Sequence, residues 1–205
     1  MPIPPPPEPI PISIPFFELL KVAGVGGIIA ALITQFVGWW RESAKDKRTR
    51  KREGAYLAMR LAVILEGYAF RCGEVISINQ LFRDSVGHAC APARRVPALD
   101  DYPADGDWKA IDGTLASRAL SFRNEIHLSD MVMEFWEGEN VEEIPNACDK
   151  EAGKRGYRAW TIATELRIFY GLPAINPKEM SWNIRETLKK YHDQAQRESQ
   201  DLVVG

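Results

Sequence analysis

The sequence predicts an all-α protein: one N-terminal transmembrane helix followed by a cytoplasmic helical bundle of four or five helices. Three observations carry that expectation. Val22–Trp40 is a run of 19 residues without a charge. A dense basic cluster follows at once, with seven Lys and Arg between residues 41 and 52. Beyond it, apolar residues recur at helical spacing, and no alternating run marks a strand.

The chain begins with an extended tail, residues 1–15, which holds eight of the 14 prolines. Proline removes backbone donors and fixes φ, so this tail favours polyproline II and acts as a stiff spacer. The transmembrane helix is expected over 16–40. As a helix, its uncharged run spans about 28 Å, close to the hydrocarbon core of a bilayer. Trp39 and Trp40 close it where an aromatic belt would sit. Gly24, Gly27, Ala31, Gln35 and Gly38 step by three and four, which places them on one stripe. Small stripes let membrane helices approach closely, so this seam is the expected site of homo-oligomerisation.

The basic juxtamembrane segment, 41–53, carries Arg41, Lys45, Lys47, Arg48, Arg50, Lys51 and Arg52. Together with Trp39 and Trp40 it is read as contacting membrane lipids. Under the positive-inside rule it puts the N-terminus outside and the rest in the cytoplasm, as a single-pass protein of the plasma (inner) membrane. The net charge of −2 hides a local +5 over residues 41–52 and −6 over residues 53–205. That acidic remainder argues against general nucleic-acid binding, which calls for a basic face.

Residues 54–193 form the helical domain, and 194–205 a polar C-terminal tail. Leu57, Leu61, Ile64, Leu65, Tyr68, Cys72, Val75 and Ile76 mark a helix from the basic segment to about Asn79. Residues 83–107, with three prolines and two glycines, read as an irregular loop. A short helix is expected near 113–119. A second runs from about Ser121 to Glu137, with Ile126, Met133 and Trp136 on its apolar side. Asn146 opens a helix to Tyr170, which Gly171-Leu-Pro173 stops. Asn176-Pro177-Lys-Glu179 reads as the cap of a last helix through Ile184, Leu188 and Tyr191.

Motifs for chemistry are sparse. No P-loop, dinucleotide fingerprint, nucleophile elbow or His-Glu-x-x-His run occurs. Three cysteines without a Cys-x-x-Cys indicate neither a disulfide framework nor a zinc ribbon. No metal and no cofactor is expected. Asp101, Asp105, Gly106 and Asp112 fall on calcium-loop positions, but Pro103 occupies the third, so an acidic solvated loop is the reading. Cys148 at a helix start could have its pKa lowered by the dipole, although a partly buried small residue is the plainer reading.

Arg83 with His88, and Arg185 with His192, keep a spacing that resembles the Arg-x4–6-His motif of HEPN-type ribonucleases, over these residues alone. That resemblance implies a helical bundle in which His serves as general acid or base and Arg stabilises phosphate charge. The favoured function is a membrane-tethered interaction or regulatory module rather than an enzyme. The alternatives are a membrane-anchored HEPN-like ribonuclease and an accessory subunit of a larger membrane complex.

Overall fold

The computed structural model describes the backbone of residues 16–139, 141–175 and 183–204. It describes the side chains of 35, 39, 45–138, 142–175, 183–198 and 200. Among the described residues there are four helices, α1 (Phe16–Asp84), α2 (Gly113–Glu139), α3 (Ile144–Tyr170) and α4 (Ile184–Val204), with a 3-10 turn at Val141–Glu143 before α3. The chain divides into two compact units, Met1–Thr49 and Arg50–Gly205.

The all-α bundle expected from periodicity is present, but the membrane span is overturned. Among the described residues no helix is long and apolar enough to cross a membrane. The described part of α1 has the length, but Arg60, Glu66, Arg71 and Glu74 break its apolar run every few residues. The run Val22–Trp40 lies outside the described side chains except for Gln35 and Trp39, which are exposed. The single-pass inner-membrane topology, the lipid contacts and the membrane-complex subunit fall with the span. So does the oligomerisation seam; of its members, Gly24, Gly27, Ala31 and Gly38 lie outside the described side chains. Lys45, Lys47, Arg48, Arg50, Lys51 and Arg52 are exposed along α1, while Trp40 and Arg41 are not described.

Within Arg50–Gly205, α1 is the spine. Leu57, Leu61, Leu65, Tyr68, Cys72 and Ile76 are buried, at the three-and-four spacing that puts them on one face. The chain leaves α1 through a reversal at Val86 and Gly87, where φ is +51° and +82°. Residues 88–112 then run back along α1 as a strap. Ala93 N–H donates to Asn79 Oδ1 at 2.7 Å, Arg71 reaches Ala98 O, and Arg60 pairs with Asp105 at 2.8 Å. At its end the strap closes on Gly54, where a Cβ would strike the Ala110 carbonyl. This long loop is therefore ordered by a succession of partners.

Asp112 caps α2, accepting from the N–H groups of Thr114 and Leu115 at 3.0 and 3.1 Å. The two short helices expected over 113–137 are one helix, because Leu120 fits the helical register that Ser121 was expected to open. Helix α2 runs parallel to α1, with Tyr68 meeting Phe122 edge-on at 5.5 Å. Helix α3 returns antiparallel. Trp160 packs on Phe70, and Arg167 donates to both oxygens of Glu66 at 2.6 and 2.7 Å. It begins at Ile144 rather than Asn146, with Pro145 in its first turn, and ends at Gly171 in the left-handed region, φ +63°.

Helix α4 packs against α3 through two glycines. A Cβ at Gly156 would sit 2.6 Å from Leu188 and 2.8 Å from the Cβ of Cys72, so that position requires glycine. The polar tail expected from 194 is helical to Val204, since Ala195 is buried and carries the helix on. The cap expected at Asn176–Glu179 lies outside the described residues.

Candidate functional site

Helix α2 shows the most distinctive surface. Its inner stripe is Leu115, Ala119, Phe122, Ile126, Ser129 and Met133, all buried. A second stripe lies on the opposite side: Ser117, Leu120, Ser121, Asn124, Leu128, Met131, Val132, Phe135 and Gly138, all exposed. None of these nine is charged. Leu128 is 55% exposed, Met131 54% and Phe135 61%, so their apolar surface is in solvent rather than folded back on the bundle.

The flanks hold this ridge in place. On the strap side, Arg123 pairs with Asp101 at 2.7 Å and lies 5.1 Å from the Tyr102 ring centroid. The Tyr102 hydroxyl donates to Ala119 O at 2.8 Å, and burial pushes its pKa up to about 12. Arg95 from the strap reaches Glu137, whose hydrogen bond and charge raise the guanidinium pKa further. On the α3 side, Arg155 donates to Ser129 Oγ at 2.5 Å and to Glu125 at 3.0 Å. Ser129 in turn donates to the buried Glu151 at 2.7 Å. Depressions of about 370 Å³ (with His127, Met131 and Arg95) and about 280 Å³ (with Val132, Trp136 and Ala195) lie on either side of the ridge.

The expected catalytic pairs do not assemble. Arg83 lies in the last turn of α1, and its guanidinium is bound to the buried Asp149 at 2.7 Å. His88 lies beyond the left-handed reversal at Val86–Gly87 and is exposed. Arg185 opens α4 beside Glu66 and Arg167. His192 lies two turns on, stacked on Tyr157 at 4.8 Å and bonded to Asp193. The four residues are thus committed to separate neighbourhoods, and the ribonuclease alternative is overturned.

Other candidates resolve similarly. Asp149 is held by Asn79 and Arg83; burial still raises its pKa, against the lowering effect of those two partners. Cys148 is buried, and desolvation pushes its thiol up to about 12, opposite to the lowering a helix start would give. Asp101, Asp105 and Asp112 serve Arg123, Arg60 and the α2 cap separately. Among the described residues no group of three His, Cys, Asp or Glu is placed to hold a metal ion.

The outward ridge of α2 was missed in the sequence because the helix was divided at residue 120 and only its inner side sought. The signal was present: a second apolar stripe, out of phase with the first. No family model, curated protein or solved structure matches the chain.

Proposed function

We propose that the bundle is a protein-docking module whose contact surface is the outward face of α2. The observation that supports this is the uncharged stripe from Ser117 to Gly138 in a chain that is 26% charged. Four consecutive members of the stripe, Leu128, Met131, Val132 and Phe135, are large and apolar. Contiguous apolar surface of this kind marks an interaction site, whereas scattered exposed leucines do not. A ridge with depressions on both sides suits a partner that packs a helix or helix pair around it.

The test is photo-crosslinking in cells with a benzophenone amino acid placed at Leu128, and at Lys189 on α4 as a control. The expected result is a protein adduct at Leu128 that disappears with Met131→Asp. No adduct above the Lys189 background overturns the reading.

A further inference from the structure

We infer that the partner on this face is a second copy of the same chain, docked with the two α2 helices antiparallel and the two-fold axis passing near Leu128. This rests on the docking reading above and specifies its occupant.

The argument starts from charge. All the charged residues exposed beside the ridge on the strap side lie in one order. Arg123 comes first, then Asp130 and Glu134, with the half-buried Glu137 after them; the imidazole of His127 lies between Arg123 and Asp130. Rotation about a two-fold axis normal to the helices keeps the strap-side flank of each helix beside that of its copy and reverses the order along it. It places Arg123 opposite Glu134 of the partner subunit, and His127 opposite Asp130 of the partner subunit.

The apolar stripe fits the same register. With Leu128 on the axis, Leu120 meets the partner's Phe135, Asn124 meets the partner's Met131 and Val132, and Ser117 meets the partner's Gly138. The large residues at one end face small or medium ones at the other, as interdigitated helices require. A parallel pair would crowd Phe135 on Phe135 and leave Ser117 and Gly138 unfilled, and its axis would set the strap-side flank of one helix beside the α3-side flank of the other, so that Arg123 and Glu134 would not meet. Charge and shape therefore select the antiparallel form independently.

The existing Arg123–Asp101 pair does not block this. Asp101 is 97% exposed, so that pair is an exchangeable surface contact worth little by itself. A contact of one helix per subunit lies at the small end of stable interfaces, so micromolar association is expected.

The experiment is disulfide trapping on the full-length chain in a Cys90→Ser background, since Cys72 and Cys148 are buried. Under mild oxidation, Leu128→Cys should form a covalent dimer by itself. Leu120→Cys and Phe135→Cys should each fail alone but couple efficiently when mixed. Sedimentation equilibrium up to about 300 μM should show a dimer. Leu128→Asp should weaken it at least about a hundredfold. Arg123→Glu should weaken it roughly fivefold, and Arg123→Glu with Glu134→Arg should restore it. Circular dichroism on each variant reports whether the bundle still folds, and the outward position of all five α2 residues keeps folding intact.

A chain that stays monomeric over that range overturns the second-copy assignment. Equal self-coupling at all three cysteine positions also overturns it, in favour of a parallel pair. If the in-cell adduct at Leu128 then contains a different protein, the docking face stands and only its occupant was wrong. If no adduct forms, both readings fail.

Discussion

Helices α2 and α3 have the same length, 27 residues each, yet they treat solvent in opposite ways. Helix α3 buries thirteen residues and presents a basic row outward. Lys150, Lys154, Arg155 and Arg158 each lie within ion-pair distance of a carboxylate, drawn from Glu198, Glu151 and Glu125. Helix α2 places apolar side chains on both sides. Where water reaches its middle, α3 carries a polar ladder, and its exposed large apolar side chains, Ile168 and Phe169, are confined to its last turn. On α2 they run instead along the helix, from Leu120 through Leu128, Met131 and Val132 to Phe135.

The sharpest way to break that contrast is to cut the same residue type from the two sides of α2. Phe122 is fully buried against Tyr68, so Phe122→Ala should destabilise the bundle by about 3–5 kcal/mol. Phe135 is 61% exposed, so Phe135→Ala should change monomer stability by less than about 0.5 kcal/mol. Urea unfolding of dilute protein compares them directly. A large loss at Phe135 would mean that the outer stripe is already part of the fold. The next effect tests the polar interior of α3. Asn79 donates to Asp149 at 2.8 Å and to Pro145 O at 3.3 Å, and accepts from Ala93 N–H. Asn79→Ala strands a buried carboxylate and a backbone donor, for an expected loss of about 2–3 kcal/mol. The same unfolding curves measure it, and a loss under about 1 kcal/mol would show that the Arg83 contact alone holds Asp149.

Much of this fold can be read from residue spacing. The stripe Leu57–Ile76 fixes the core face of α1, Gly171 fixes the end of α3, and Ile184 with Leu188 fixes the inner side of α4. What spacing cannot reveal is partnership. The strap over 88–112 looks irregular because its order comes from Asn79, Arg71 and Arg60, each distant along the chain. The Arg83–His88 pair looks like chemistry until a left-handed turn and a buried Asp149 separate its members. The membrane reading rests on the local run Val22–Trp40 alone, which residue spacing cannot connect to the packing of Leu57–Ile76 on the same helix. The outer stripe of α2 is visible in the sequence, but Leu128, Met131 and Phe135 become a candidate site only once the described residues of the bundle leave them exposed.

A smaller effect separates interior from surface through pH. Burial pushes the thiols of Cys72 and Cys148 up to about 12, from an ordinary 9.0, and Tyr68 shifts in the same direction. Each folded-state pKa lies above its unfolded value, so above pH 9 the unfolded chain releases protons that the folded chain keeps. Stability should be level below that point and fall as pH rises toward 12, by at most about 1.4 kcal/mol per pH unit for each group. Urea midpoints at pH 8, 9 and 10 follow it. Cys148→Ala should flatten the decline, while Phe135→Ala should leave its slope unchanged. An unchanged slope in Cys148→Ala would mean that this thiol is not shielded.

The smallest effect lies where α1 meets the inner side of α2. The Tyr68 ring is fully buried, and its hydroxyl makes no hydrogen bond of normal geometry, with only the weakly bonding Cys72 thiol beside it. A buried donor without a proper partner forfeits its hydration for little return. Tyr68→Phe removes that group and keeps the edge-on contact with Phe122. Stability should therefore hold or rise by up to about 1 kcal/mol, read from the same unfolding curves. A loss greater than that would show that the hydroxyl has a real partner and that α2 is anchored by polar contacts on its inner side too. If stability holds, the Tyr68 ring joins α1 to the inner face of α2 by packing alone. The polar specificity of the bundle would then reside on α3.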